Sequence, residues 1–297
     1  MDPERPQAVT RDAVTSASPQ ARGRVSAVVI CGNEEANIEA CLSSVSWCDE
    51  IVVVDSQSTD RSAEIARRYT DRVIQRPWPG YVAQKNFALE QATGDWILSL
   101  DADERCTPEL RDAIEKALAS PGDAAGFRFK RRVRYLGRWI LHCGWYPDWK
   151  LRLVRRGHAR WEGRDPHDKL VADGPVRDIN ADLLHFTYRN FAHQIHTINH
   201  FSDVVTDTWR RDGKRGSFLK MLILPPAKFI ECWIFKLGIL DGLPGLIIAL
   251  STAFYVFSKQ VKLWEPVDPG AMRRGLAALF VIAALLGGDP SLTGQDP

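Results

Sequence analysis

Several common classes of protein are disfavoured by what this sequence of 297 residues lacks. Its six cysteines form neither a C-x-x-C pair nor another zinc-ligand spacing, which disfavours a structural zinc site and predicts a reducing, cytosolic environment. The turn after the first apolar segment reads CGNEEAN, so the G-x-G-x-x-G of a Rossmann dehydrogenase is absent, and the two acids would repel phosphates. The longest run without a charged residue, 242–258, has 17 residues, close to the lower limit of about 20 for crossing a bilayer.

Length and composition indicate one large folded domain with an appendage. A hydrophobic content of 45% and a charged content of 26% are ordinary for a globular protein, and the formal net charge is only +2. We predict a disordered tail at 1–24, an α/β domain at 25–215 and an apolar helical region with a tail at 216–297. The character of the sequence changes near residue 120, which divides the domain into halves at 25–120 and 121–215.

Short apolar segments alternate with helical patterns in the first half. Strands are predicted at 25–31, 51–54, 73–74 and 95–100, with helices between them. This alternation implies right-handed crossovers and a doubly wound, parallel sheet. The first helix should turn one apolar face inward, formed by Ile38, Cys41, Leu42 and Val45.

Polar loops follow three of these strands, beginning at Asn33, Asp55 and Asp101. Ligands bind at the carboxyl ends of strands in such sheets, so the three loops predict a nucleotide crevice. Asp101 and Asp103 are two residues apart in an extended segment, which lets both carboxylates face one site. Two hard oxygen donors suit Mg²⁺ or Mn²⁺. The alternative is a solvated acidic turn that caps a helix starting near Pro108.

The set of segments VVICGNEEANIEACLSSV, EIVVVDSQSTD and QKNFALEQATGDWILSLDADE closely resembles family 2 glycosyltransferases. The resemblance implies a GT-A fold, which is a mixed, mostly parallel α/β sheet flanked by helices, with a nucleotide half and an acceptor half. The segments GWYPDWKLRL and DPHDKL resemble the lipopolysaccharide-core β-1,4-glucosyltransferase branch. That branch implies inverting, metal-dependent transfer of glucose from UDP-glucose to a lipid-linked saccharide such as the lipopolysaccharide inner core.

The resemblance also implies roles for individual residues. Glu34 and Asp55 would hold the uracil and ribose, and Lys85 would approach the diphosphate. The implied donor-binding set is Asn33, Glu34, Asp55, Lys85, Asp101 and Arg152, and the implied metal ligands are Asp101 and Asp103. The general base would be Asp168, where the branch has glutamate, with Asp148 and Glu162 as rivals. Trp145 and Tyr146 would stack on the acceptor sugar.

Each of these assignments has a plainer alternative. Asp168 could pair with a neighbouring arginine, and Trp145 could belong to the core. The six basic residues in 128–138 could contact nucleic acid or be solvated, although alternation with apolar residues favours anionic lipid or a phosphorylated acceptor over nucleic acid. Zinc on the helix face of His193, His196 and His200 is disfavoured relative to a polar helix face, since the sequence offers no nearby cysteine.

The apolar stretch 218–264 is flanked by lysines and carries aromatic residues suited to the headgroup level. We predict helices that lie in one leaflet, on the cytoplasmic face of the inner (plasma) membrane and against anionic lipid. A membrane span and a buried helical core remain open alternatives, and a second apolar run at 275–288 is too short to span. The competing functions are a polyprenyl-phosphate glycosyltransferase and an inactive nucleotide-binding scaffold.

Overall fold

A mixed sheet of nine strands forms the centre of the protein, in a computed structural model that describes residues 23–164 and 167–264. The predicted tail at 1–24, except for its last two residues, and the run at 275–288 lie outside the described residues. The strands of the sheet are β1 Val25–Cys31, β2 Glu50–Asp55, β3 Val73–Gln75, β4 Trp96–Asp101, β5 Glu104–Cys106, β6 Gly126–Tyr135, β7 Arg138–Trp139, β8 Asp148–Arg155 and β11 Val176–His185. A separate hairpin consists of β9 Ala159–Arg164 and β10 His167–Ala172.

The predicted parallel arrangement of the first four strands is confirmed. They lie in the order β3-β2-β1-β4, and every pair is parallel. All seven residues of β1 are buried, as expected for a central strand covered on both faces. The register places Cys31 beside Asp55 and Ile30 beside Asp101, so the polar loops leave the sheet at one edge.

The second half of the domain extends this sheet past β4 with strands of both directions. β8 is antiparallel to β4 and β6, while β11 runs parallel to β6 and antiparallel to β5. The β9–β10 hairpin stands outside the sheet and is fastened to a helix by Asn86. Its side chain donates to the Trp161 carbonyl at 2.9 Å and accepts from the Trp161 N–H at 2.8 Å.

Seven α-helices accompany the strands within the described residues: α1 Ile38–Ser44, α2 Ser62–Ala66, α3 Tyr81–Gln91, α4 Pro108–Ala119, α5 Phe191–Arg211, α6 Phe218–Ile230 and α7 Gly242–Trp264. The four side chains predicted to face inward from the first helix are all fully buried. Helix α2 has only five residues and follows the loop that contains Ser58 and Thr59. The Ser58 N–H donates to Asp55 and the Thr59 N–H donates to Asn33, and the second of these bonds links two of the polar loops.

The helices α6 and α7 form a C-terminal hairpin, joined by a π-helical turn and a 3₁₀ turn between 231 and 241. Gly238–Trp264 is the one described segment long and apolar enough to cross a membrane by length and composition. Both ends of α7, however, contact the α/β domain. Ile248 packs with Tyr135 and Ile140 near its start, and Lys262 Nζ lies 2.8 Å from the Asn199 carbonyl oxygen near its end. This helix therefore lies along the domain.

Candidate active site

A cavity of about 1060 Å³ opens where the carboxyl ends of β1, β2 and β4 meet. The three predicted polar loops converge here, through Asn33, Ser56 and Asp101. Side chains from α3, β6, β8, β10 and α5 complete the walls. The volume is at the upper end of the range of about 300–1,000 Å³ for small-ligand sites. The cavity therefore has room for a nucleotide and a second ligand.

Lys85 lines the cavity, and its ammonium group lies between two carboxylates. Its Nζ atom is 3.0 Å from Asp101 Oδ1 and 2.8 Å from Asp168 Oδ2, and it lies 4.2 Å from the centroid of the Trp161 ring. Arg152 Nη2 approaches the other Asp101 oxygen at 2.8 Å. These contacts bring together four residues predicted from the sequence, and they join strand β4, helix α3 and the β9–β10 hairpin.

Glu104 is fully buried and forms a cluster with Asp101, Arg131 and Arg152, called here the Glu104 cluster. Its carboxylate accepts from Arg152 at 2.7 Å, from Arg131 at 3.3 Å and from the Asp101 N–H at 3.1 Å. Burial alone would raise the pKa of Asp101, but Lys85 and Arg152 outweigh it and hold that pKa well below its usual range. Burial also opposes the charge on Arg152, yet Glu104 and Asp101 raise its pKa. Asp101 and Arg152 are therefore both charged at neutral pH.

Asp103 pairs with a residue that the sequence analysis missed. Its Oδ2 atom lies 3.1 Å from Nε2 of His185, at the end of β11. Burial would raise the pKa of Asp103, but His185 outweighs it and lowers that pKa. The Nδ1 atom of His185 is buried and has no hydrogen-bond partner. Local sequence gave no clear signal for the pairing of His185 with Asp103, because this contact depends on where β11 joins the sheet.

The side chains at the cavity wall fit a metal ion that takes part of its coordination shell from a bound phosphate ligand. No group of three or more histidine, cysteine or acidic residues able to hold a metal ion occurs in 23–164 and 167–264. Mg²⁺ and Mn²⁺ ordinarily keep several waters and take other ligands from substrate phosphates, so one or two carboxylates suffice. Asp103, His185 and the free lone pairs of Asp101 provide such a partial set at the cavity wall.

Asn33 and Glu34 line the nucleotide side of the cavity. The Asn33 side chain accepts from the Thr59 N–H at 2.8 Å, which holds the first loop against the second. Glu34 accepts from the Asn37 side chain at 2.8 Å. Burial raises the pKa of Glu34 despite this hydrogen bond. The Asn33 side chain therefore links the loop after β1 to the loop after β2.

Asp55 lies behind the cavity wall. It is fully buried and accepts from the Ser58 N–H at 3.0 Å and from the Gln75 side chain at 2.9 Å. The cavity lining contains its neighbour Ser56 but not Asp55 itself. In this state Asp55 organises the second loop.

The aromatic residues that face the cavity differ from the predicted pair. Trp145 packs against Tyr135, with ring centroids 5.7 Å apart, and the Tyr146 hydroxyl donates to Asp182 at 3.0 Å. Neither Trp145 nor Tyr146 is among the cavity-lining residues. The aromatic rings in the described cavity wall are those of Trp78, Tyr81, Trp149, Trp161, Tyr188 and Phe201.

Of the three candidate bases, only Asp168 lines the cavity. Asp148 is 2.8 Å from Arg131, and Glu162 accepts from Arg160 at 2.6 Å outside the cavity lining. Asp168 does form an ion pair, as the plainer alternative held, but its partner is Lys85.

Only one of the three histidines on α5 faces the cavity. His193 contributes to the wall, together with Thr197 and Phe201, whereas His196 and His200 are exposed. His196 and His200 lie on the exposed face of α5.

The sheet order and the charged cavity at its switch point define an α/β enzyme with a nucleotide-type ligand site. Residues 26–171 match the family described as Glycosyl transferase family 2. Over 254 residues the chain is 36% identical to the lipopolysaccharide core biosynthesis glycosyltransferase LpsC of Rhizobium meliloti (strain 1021), covering 81% of this chain and 92% of the relative. The chain therefore belongs to glycosyl transferase family 2 and is a glycosyltransferase with a GT-A fold.

Other similar proteins cover most of the chain. An uncharacterized glycosyltransferase of Rickettsia typhi is 28% identical over 82% of this chain and 87% of its own length. Glucosyl-3-phosphoglycerate synthase from Mycobacterium tuberculosis, solved with Mn²⁺, UDP and glucosyl-3-phosphoglycerate, has a TM-score of 0.44 at 20% identity, covering 71% of this chain and 88% of that one. Mannosyltransferase PcManGT from Pyrobaculum calidifontis, solved with GDP-Man and Mn²⁺, has a TM-score of 0.41 at 20% identity, covering 92% and 84%.

The buried position of Glu104 generates a stability prediction. Glu104→Gln should lower the free energy of unfolding by about 3–5 kcal/mol, because it leaves buried arginines without a full counter-charge. Asp178→Asn is the matched control, since it breaks an exposed pair with Arg128 on the same sheet. It should have far less effect. Urea unfolding followed by circular dichroism measures both, and equal losses would show that burial of the Glu104 cluster is unimportant.

Proposed function

We propose that this glycosyltransferase transfers a sugar, glucose from UDP-glucose, with inversion and with a divalent metal onto a lipid-linked saccharide such as the lipopolysaccharide inner core. The observation that carries the proposal is the position of Lys85, between a strand-end carboxylate and a candidate base in one cavity. The similarity to LpsC, named for lipopolysaccharide core biosynthesis, supports the choice of acceptor.

The donor would lie over the ends of β1, β2 and β4. Asn33, Glu34 and the Ser56 loop would receive the nucleoside, and Lys85 and Arg152 would face the diphosphate as fixed positive charges. Asp103, Asp101 and His185 would hold Mg²⁺ or Mn²⁺. When bound, the metal supplies Lewis-acid stabilisation of the leaving nucleotide.

The acceptor would enter from the side of the β9–β10 hairpin. Asp168 would take the proton from the attacking hydroxyl while the hydroxyl oxygen bonds to the anomeric carbon. The bond from that carbon to the diphosphate oxygen breaks, and its electron pair leaves with the nucleotide. Attack from the face opposite the leaving group inverts the anomeric centre. In the ligand-free state Lys85 shares its charge with Asp168, so a diphosphate that draws Lys85 away would release the base.

The C-terminal hairpin would rest on the cytoplasmic face of the inner membrane. No residue of α6 is buried, and large apolar side chains of the hairpin are exposed, among them Phe235 at 78% and Leu243 at 68%. Lysines flank this surface at Lys220, Lys228 and Lys236. Because α7 is held along the domain, we infer in-plane binding to anionic lipid.

The metal assignment generates a binding prediction. Asp103→Ala should abolish turnover and remove the gain in UDP affinity that Mn²⁺ produces, because it deletes a ligand without disturbing the charges of the Glu104 cluster. Calorimetric titration of UDP with and without Mn²⁺ measures the gain. Asp112→Ala, an exposed acid on α4, should retain it. Full activity of Asp103→Ala in the presence of a chelator would contradict the assignment.

The function and its base are tested in one transfer assay, with UDP-glucose, a panel of other nucleotide sugars and a membrane lipid extract, analysed by mass spectrometry. Wild type should add a hexose to a lipid-linked saccharide and release UDP. Asp168→Asn should lower turnover by about 10² to 10⁴, the usual contribution of general base catalysis. Its affinity for UDP should not fall, since the base acts only in transfer. Asp168→Glu should retain substantial activity.

Three outcomes would change this account. Normal turnover of Asp168→Asn would move the base elsewhere, with Asp148 first. Loss of UDP binding in that variant would place Asp168 in the donor site. Transfer by wild type to a polyprenyl phosphate, and to no saccharide, would replace the proposed acceptor.

The exposed apolar hairpin generates a membrane-binding prediction. Phe235→Glu combined with Leu243→Glu should weaken partition into anionic phosphatidylglycerol vesicles by at least about 100-fold, since two large apolar side chains are lost from the interface. Ala83→Glu combined with Ala119→Glu adds the same charge at exposed sites on α3 and α4 and should bind normally. Vesicle sedimentation measures the binding of both variants. Unimpaired binding of the hairpin variant would place the membrane anchor on the arginine-rich strand β6.

A further inference from the structure

One wall of the cavity carries positive charge that the donor site does not use. This basic wall consists of Arg128 on β6, Lys150 on β8 and Lys169 on β10, all of which line the cavity. The side chains of Arg128 and Lys150 are 47% and 37% exposed, and Lys169 is exposed. Long cations at this degree of exposure can reach a ligand in the cavity without being desolvated first.

The positive charge of the basic wall is only partly neutralised by neighbouring carboxylates. Lys150 Nζ is 3.0 Å from Asp148, but Asp148 also pairs with Arg131. Arg128 pairs with Asp178 at the surface, where solvent weakens the interaction. Lys169 has no acidic partner within 4.0 Å among the residues that the structure describes. The wall therefore keeps an excess of positive charge facing the cavity.

An aromatic face lies within the basic wall. Trp149 lines the cavity, and the Arg128 guanidinium is 5.6 Å from the centroid of its ring. A flat ring next to cations suits a sugar that bears an acidic group, because the ring contacts the apolar face of the sugar and the cations contact the acid.

The basic wall lies away from the nucleotide loops. In the sheet, β8 and β6 come after β4, on the side opposite β1 and β2. Adjacent strands are about 5 Å apart, so the wall begins one to two strand spacings beyond the carboxylates of β4. The cations assigned to the diphosphate, Lys85 on α3 and Arg152 on β8, both contact Asp101 at the end of β4. Lys150 lies two residues before Arg152, about 7 Å along β8, so the basic wall extends the positive charge beyond the diphosphate cations toward a second ligand.

We propose that the basic wall and Trp149 form an acceptor subsite that recognises an acidic substituent, phosphate or carboxylate, on the acceptor saccharide. This inference rests on the proposed transfer to a saccharide and specifies the chemistry of that acceptor. The charged group is held through the cations, and the sugar that bears it stacks on Trp149. A neutral saccharide of the same size would leave the cations without a ligand.

The test measures acceptor kinetics with a core oligosaccharide released from lipopolysaccharide by mild acid. Three forms are compared: untreated, freed of phosphate with hydrogen fluoride, and with its carboxylates reduced to alcohols. Wild type should show a rise in KM of about tenfold or more for the form that lacks the recognised acid, with kcat little changed. Whichever treatment raises KM identifies the acid as phosphate or carboxylate.

The combined variant Lys150→Ala and Lys169→Ala should raise KM for the untreated acceptor by about tenfold or more. Removal of phosphate or reduction of carboxylates on the acceptor should not raise the KM of this variant further. The KM of wild type should also increase with salt, whereas that of the variant should not. UDP affinity should stay unchanged. Lys150→Arg with Lys169→Arg should restore KM, and Lys116→Ala, an exposed lysine on α4, should behave as wild type.

Two results would overturn the inference. If the alanine variant or the neutral acceptors give the wild-type KM, the basic wall is a solvated surface, and the proposed function still stands. If wild type transfers sugar to none of the three oligosaccharides but does to a non-saccharide lipid, the proposed function fails together with this inference.

Discussion

The buried charges around Lys85 are the constraint on which the rest of the site depends. A buried charge is costly unless it is paired, and Arg152 is paired with both Asp101 and Glu104, so the loss of one partner leaves charge in the interior without full compensation. The partners come from strands β4, β5 and β8 and from helix α3, which fixes the two halves of the domain relative to each other. Asp168 extends the same pairing to a hairpin outside the sheet.

Under the proposed function, this arrangement would give the ligand-free protein an electrostatic template for a phosphorylated donor. The cations are already positioned and their side chains are nearly buried, so little ordering entropy remains to be lost on binding. The acids that hold them are the groups proposed for the metal and the base. A bound diphosphate would compete with Asp101 and Asp168 for Lys85, and a divalent metal bound with it would offset the negative charge that it brings.

Local patterns predicted the first half well and the second half poorly. Four parallel strands, the inward face of α1 and the converging loops all follow from short-range alternation of apolar and polar residues. His185 and Trp149 could not be found this way, since their positions depend on β8 and β11 joining the sheet far from their neighbours in sequence. Trp145 and Trp149 are four residues apart in one aromatic-rich segment, and only the tertiary fold decides that the second faces the cavity.

Helix α5 links the cavity to the C-terminal hairpin. Its residues His193 and Thr197 line the cavity, while Asn199 and Asp203 contact Lys262 near the end of α7. A hairpin bound in the plane of a membrane would therefore hold one wall of the cavity close to the lipid surface. Under the proposed function, an acceptor anchored in that surface would meet Asp168 at a fixed height above the lipid, and this height would limit which of its hydroxyls is glycosylated.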